Sequence, residues 1–171
     1  MALGIGYADQ TCNLARALEV LGERWTMLIL RDCFYGVRRF SDLLAHLDIS
    51  RAVLTERLNT LVEAGIVERR AEGGHPVYLL TEAGTATWPS LYALARWGER
   101  FGPPERRSGR TFRHWGCDAE LDDHGRCPEC GATPGPADVV THPGPARAGD
   151  RTDPVSVALR SPHRLLTSVP A

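Results

Sequence analysis

The chain predicts a mainly α-helical fold with one small β-hairpin. Three observations lead to that class. From residue 12 to about residue 101, apolar residues recur at helical spacing. Within that stretch, the alternating segment "IVERRA" (66–71), the turn "EGGHP" and the apolar run "VYLLT" describe two strands joined by a tight connection. After Gly102 the periodicity ends, and Pro, Gly and Arg become frequent.

Each element has a local reason. Leu14, Ala17, Leu18 and Leu21 share a helical face, as do Trp25, Leu28 and Ile29, so residues 12 to 33 read as helix with a break near Gly22. "FYGVRR" is a loop, and "FSDLLAHL" is a short helix capped by Ser41 or a neighbour. "DIS" is a tight turn. Ser50 has the side chain of an N-cap for a longer helix that ends at "EAG", with Gly65 in the residue position just past the helix. The hairpin follows. Thr81 caps the next helix, which reaches about Phe101 and is broken or restarted at Pro89, because an interior Pro removes a backbone hydrogen bond. The apolar residues there, Trp88, Leu91, Tyr92, Leu94, Ala95 and Trp97, exceed what one small core needs. "GPPERRSGRTFR" is a linker with a basic bias. From Pro134 onward the chain is expected to be mostly disordered, apart from a turn or two of helix in "DPVSVALRSPHRLL". The expected organisation is an N-terminal arm (1–11), a helical domain (12–110), a cysteine-rich segment (111–133) and a largely disordered tail (134–171).

Composition bounds the function. The 171 residues suffice for one ordinary domain and a little extra. The net charge of −1 excludes a generally basic coat but permits a local basic patch. The basic residues other than His are all Arg, the better side chain for bidentate contacts to phosphate and guanine. No apolar run of about 18 residues exists, so no membrane partner is expected. "MALGIGYADQ" lacks a basic n-region and an apolar h-region, so no secretory signal is read and a cytoplasmic location is expected.

The order of elements carries the functional reading. A short helix, a three-residue turn and a longer helix make a helix-turn-helix, and the hairpin after it makes the arrangement winged. On the longer helix Leu54, Leu58 and Leu61 form the inward stripe. At about 100° per residue, Ala52, Glu56 and Asn59 point most directly away, with Arg51 and Thr55 on the flanks. Taken alone, such a face is a solvated surface. Its setting alters that reading. Arg38 and Arg39 precede the short helix, and Arg69 and Arg70 lie on the first strand, where phosphate backbones would pass. Ser50, Arg51, Thr55 and Asn59 are then placed to read base edges in a major groove.

At this point the sequence resembles the HxlR-type winged helix-turn-helix transcriptional regulators, relatives of the MarR type. The matching landmarks are Cys12, "GERWTMLILRD", "RRFSDL", "LTERLNTLVEAGIVERR", "YLLTEAG" and "ARWGE", over residues 12 to about 101. The resemblance implies a homodimeric repressor on a roughly palindromic operator in double-stranded DNA, with terminal helices forming the dimer interface. That interface would absorb the surplus of aromatics between Trp88 and Trp97. It places the recognition helix at Ser50 to Ala64 and the wing at about Ile66 to Leu80. One departure is the wing tip "AEGGHP", which has no Arg or Lys, so Arg69 and Arg70 are the expected wing contacts. The resemblance also puts Cys12 at the N-terminal cysteine position that senses oxidants or electrophiles in some relatives. A thiolate there would draw on a helix N-terminus and Arg16; the other reading of Cys12 is packing. An effector is left open between an oxidant and a small molecule. Cys33 lies in an apolar helix and is expected to pack.

The remaining cysteines form His114-x2-Cys117-x9-Cys127-x2-Cys130. "CPECG" has the spacing of a zinc knuckle, and four N/S ligands suit a closed, structural, tetrahedral Zn²⁺ site. His124 is an alternative ligand, and a metal-free dithiol is the alternative chemistry. The segment is too short for much core of its own, so bound zinc would stabilise it as a zinc-ribbon-like appendage. An enzyme built on Cys127 or Cys130 would lack a base, a phosphate loop or an open ligand set, so no enzymatic activity is expected. A winged-helix and zinc module that docks protein rather than DNA remains the alternative function.

Overall fold

The structure, a computed structural model, describes Tyr7, residues 10–144 and residues 151–169. The expected N-terminal arm therefore lies largely outside the described residues. The fold is mostly helical with small antiparallel sheets, arranged as a winged helix-turn-helix. Helices α1 (Asn13–Leu21) and α2 (Thr26–Phe34) are separated just after Gly22. Helix α3 (Phe40–Leu47) begins after Arg39 with no side-chain cap, so Ser41 lies inside it and donates to Asp42 instead. Asp48 then takes a left-handed conformation (φ 52°), and its short polar side chain tolerates the turn. Helix α4 (Arg51–Glu63) starts at Ser50, whose Oγ accepts the Val53 N–H at 3.2 Å. It ends at Gly65, where φ is 68°.

Strands β1 (Val67–Glu72) and β2 (His75–Leu80) pair antiparallel from Val67↔Leu80 to Glu72↔His75. Gly73 and Gly74 both have positive φ, 57° and 79°, as a two-residue hairpin turn that follows strand twist requires. Thr81 Oγ1 donates to Gly65 O (2.7 Å) and accepts from Gly84 N–H (3.1 Å), tying the end of the hairpin to the end of α4. A single turn, α5 (Glu82–Thr85), leads to α6 (Trp88–Phe101), with Pro89 in the first turn of α6 where its missing N–H costs nothing.

The tail differs from the expectation. Residues from Pro134 were expected to be largely disordered, yet the described ones are built into the core. Strand β4 (Val139–His142) is the middle of a three-stranded sheet between β3 (Thr111–His114) and β5 (His163–Arg164). Helix α7 (Pro154–Ala158) packs on α3 and is capped by Asp153, which accepts from Ser156 N–H at 2.9 Å. Val139, Val155, Leu159 and Leu165 are 4 % exposed or less and join the same apolar cluster as Phe34, Leu43 and Trp88. Burial of each such side chain contributes about 1.5–3 kcal/mol, enough to hold a segment whose local propensity is poor. Residues 145–150 and 170–171 lie outside the described set.

The aromatics of α6 also divide differently. Trp88 and Tyr92 sit in the core of their own chain, with Trp88 5.1 Å from Phe34 and 5.7 Å from Phe112 between ring centroids. They are therefore not spare interface residues. Leu94, Trp97 and Phe101 are the exposed ones, together with Leu14 and Leu18 of α1.

Candidate DNA-recognition surface and metal-ligand cluster

Leu54, Leu58 and Leu61 are fully buried, which fixes the roll of α4 and leaves Arg51, Thr55 and Asn59 exposed on its outer side. The Arg51 guanidinium lies 5.2 Å over the Phe40 ring, which ties the first turn of α4 to the first turn of α3. Arg57, on the same helix, pairs with Glu56 and reaches Glu23 at 3.5 Å, so its charge is engaged within the chain.

The flanking arginines are not equivalent. Arg69 and Arg70 are exposed on β1, but Arg70 pairs with Glu68 at 2.6 Å. Arg39 is exposed beside the hairpin, where it forms an isolated bridge with Val77. Arg38 is half-buried. Its carbonyl accepts Tyr78 N–H at 2.8 Å and its guanidinium donates to Leu166 O at 3.4 Å. The tail therefore engages one of the side chains expected at a phosphate.

A residue that sequence reasoning missed holds α2 to α3. Asp32 is completely buried. Its Oδ1 accepts from Arg31 Nε (2.9 Å) and a terminal Arg31 nitrogen (2.8 Å), and its Oδ2 meets His46 Nδ1 at 2.7 Å. Nothing in the dipeptide Arg31–Asp32 signals a partner fourteen residues on. Next to it, burial pushes the Cys33 thiol up to about 12, so Cys33 packs as a neutral side chain. Cys12 is exposed at the position just before α1.

His114, Cys117, Cys127 and Cys130 come together, with their ligand atoms all within 4.8 Å of one another. His114 ends β3. The chain turns back at Asp118 (φ 56°), whose N–H donates to His114 O at 2.8 Å, and this sets Cys117 beside the ring. Cys127 and Cys130 lie on the tight loop closed by Gly131 N–H to Cys127 O at 2.9 Å, a loop that needs the positive φ of Gly131 (72°). His114 Nδ1 is 3.2 Å from Cys117 Sγ and 3.3 Å from Cys130 Sγ, and Cys117 Sγ is 3.3 Å from Cys127 Sγ. The Cys130 backbone N–H, aided by the Cys117 thiol and opposed by desolvation, lowers the Cys127 thiol to about 6. His124 stands outside the cluster; its N–H donates to Asp122.

The donor set fits a tetrahedral soft cation. Zn–S bonds of about 2.3 Å and Zn–N bonds of about 2.0–2.1 Å separate ligand atoms by roughly 3.5–3.8 Å, so a small outward movement of each side chain makes room. The cluster is not a separate lobe. Phe112, Leu121 and Cys127 belong to the main core, and Tyr92 Oη of α6 donates to Asp122 O at 2.7 Å.

Comparison with known proteins agrees with this architecture. The family model for the HxlR-like helix-turn-helix matches residues 20–106. An uncharacterised HTH-type transcriptional regulator of Mycobacterium tuberculosis is 39% identical over 136 residues, spanning 78% of this chain and 86% of that protein. The HTH-type transcriptional regulator YodB of Bacillus subtilis is 36% identical over 96 residues, spanning 54% of this chain and 86% of its own length. Among solved structures, PA1607, provisionally assigned as a transcription factor, superposes with a TM-score of 0.56 at 37% identity over 58% of this chain and 71% of that one. The redox regulator HypR in its oxidized form superposes with a TM-score of 0.50 at 27% identity, over 54% of this chain and 99% of that chain. The helix order, the hairpin and these matches together establish that the chain belongs to the HxlR-like helix-turn-helix family.

Proposed function

We propose that the protein is a sequence-specific DNA-binding transcriptional regulator that acts as a homodimer and represses by occluding a promoter in the cytoplasm. The observation that carries this reading is α4 itself: its leucines are sealed inside, and Arg51, Thr55 and Asn59 stand outside at the start of the helix, beside a glycine-tipped hairpin. Arg and Asn are the side chains that read guanine and adenine bidentately in the major groove. Arg39 and Arg69 supply backbone contacts that position the helix without reading sequence. Arg38 contributes less, because Leu166 O already occupies it. The apolar faces of α1 and α6 support a dimer of the kind that binds two half-sites.

The test is a titration of wild type, Arg51→Ala, Asn59→Ala and Arg69→Ala against DNA selected from genomic fragments. The first two changes are expected to cost about 1–3 kcal/mol on the selected site and to relax base preference, with the dimer intact. Arg69→Ala is expected to weaken binding to all sequences and to reduce the salt slope by about one. Unchanged DNA affinity in all three variants would leave a protein-docking module as the reading.

The metal-ligand cluster is read as a structural zinc site held by His114, Cys117, Cys127 and Cys130. The ion would crosslink the end of β3 to the loop before β4. Elemental analysis of untagged protein is expected to give about one zinc per chain. No zinc in either purified or reconstituted protein would reject it.

A further inference from the structure

A cavity lies away from both of these sites. It is an open cleft of about 1010 Å³ between α2, α6 and the C-terminal appendage, and none of its lining comes from α4 or the hairpin. Its apolar lining is the exposed Leu28 and the edges of the otherwise buried Tyr35, Phe112 and Leu159. Its walls carry six arginines, and they sort into two groups. Arg31, Arg96 and Arg151 are neutralised by Asp32, Asp123 and Asp153. The other three have no carboxylate partner among the described residues. Arg107 donates to Arg100 O (3.0 Å), Arg160 to Arg151 O (2.8 Å), and Arg110 to Thr141 Oγ1 and Leu159 O (both 3.1 Å). Neutral oxygens leave those guanidinium charges uncompensated.

The walls also hold acidic groups. Glu99 accepts the backbone N–H groups of Ser108 and Gly109 at 3.1 and 3.0 Å and the Ser108 hydroxyl at 3.2 Å and keeps its charge, and Glu105 is exposed on the rim, so the three unpaired arginines exceed the two glutamates by one positive charge. The buried Tyr35 ring has Arg31 at 5.9 Å and Arg110 at 5.7 Å from its centroid. An apolar lining edged by unpaired guanidinium forks matches one ligand chemistry. We propose that the cleft binds a small organic carboxylate with an apolar body and that, given the regulator reading above, this is where the protein senses an effector. The volume suits a small molecule rather than a polymer.

The cleft reaches the recognition helix through α3. Arg151 donates to the carbonyls of Ala45 (2.9 Å) and His46 (2.7 Å), in the last turn of α3. His46 is also the group that meets Asp32 of α2. A carboxylate that draws Arg160 away from Arg151 O disturbs this clasp, so occupancy of the cleft is expected to weaken operator binding.

The experiment is calorimetry on the full-length protein with phenylacetate, its uncharged counterpart phenylacetamide, and inorganic phosphate, all without DNA. Phenylacetate is expected to bind about tenfold or more tightly than phenylacetamide, because the arginines are matched only by an anion. It should also outbind phosphate, which makes no use of the apolar lining. Arg110→Gln is expected to lose most of the preference for the acid. Since Arg110 also bonds the tail, the exposed double change Arg107→Gln/Arg160→Gln gives the same reading with circular dichroism unchanged. Equal binding of acid and amide, equal binding of phosphate, or no saturable heat up to millimolar phenylacetate overturns the ligand assignment. Saturating phenylacetate is expected to weaken operator binding by about fivefold or more. An unchanged operator affinity in the presence of bound phenylacetate overturns the effector role alone. Because binding is read without DNA, failure of the DNA reading leaves the ligand result standing.

Discussion

At the scale of single residues, environment separates side chains of the same type. Cys12 is exposed ahead of α1, whereas Cys33 is buried beside Asp32 and its thiol is pushed up to about 12. Of these two, Cys12 is the thiol open to diamide: operator binding is expected to fall in wild type and persist in Cys12→Ser, and equal responses would remove Cys12 as a sensor and leave the cluster thiols as the reactive ones. The buried acids also set an alkaline limit on stability. Burial raises Cys33 and Tyr92 to about 12 and raises Tyr35 as well, against unfolded values near 8.5 and 10. Above those unfolded values the native state holds protons that the unfolded chain has released. Stability is thus complete below about pH 8.5 and is lost as pH rises toward 12. Urea denaturation at pH 7.5 and pH 10 is expected to give a lower midpoint at pH 10, and a higher one would contradict the assignment.

At the scale of elements, the tail is held at a few backbone points. Leu166 N–H donates to Phe34 O at 2.7 Å, and Val169 N–H to Gly36 O at 3.3 Å. Gly36 has φ 80°, and a Cβ there would lie 1.7 Å from Thr167 O. Gly36→Ala is therefore expected to destabilise the protein by roughly 1–2 kcal/mol from backbone strain alone. It should also release residues near 160–169 to limited proteolysis, and wild-type melting with an uncut tail would show that this docking is not real. The same element logic explains the helix ends. Ser50 and Thr81 were legible as caps because a hydroxyl before an apolar-periodic run has one obvious use. The extent of α3 was legible as "FSDLLAHL", but its cap was not, because the helix begins after Arg39, beside the hairpin, with no side-chain cap.

At the scale of the whole molecule, apolar faces of α1 and α6 are exposed among the described residues. Leu14 and Leu18 lie one turn apart on α1, and Leu94, Trp97 and Phe101 follow the i, i+3, i+7 spacing on α6, at 41 to 65% exposure. A second copy covering both would remove them from water. Trp97→Asp is expected to shift sedimentation from dimer to monomer and to weaken operator binding by more than either half-site contact does. A variant that stays dimeric would place the interface elsewhere. Among the described residues no helix is long and apolar enough to cross a membrane.

The sequence by itself determined the helix-turn-helix, the hairpin and the side-chain pattern of α4. It also determined which four residues gather at the metal-ligand cluster. These features are local: periodicity over a few turns, a hydroxyl before a helix, two glycines in a turn, and ligands within seventeen residues of each other. Tertiary structure alone decided the rest. Val139, Val155 and Leu165 are isolated apolar residues in a Pro- and Gly-rich stretch, and they become core only because Phe34, Trp88 and Phe112 lie where they can land. Asp32 finds His46 across two helices, and Arg38 meets Leu166 from the far end of the chain. Tyr35 collects Arg31 and Arg110 from segments almost eighty residues apart. Such contacts leave no period in the sequence, because their energy comes from burial and charge pairing between segments whose separation along the chain carries no information about their distance in space.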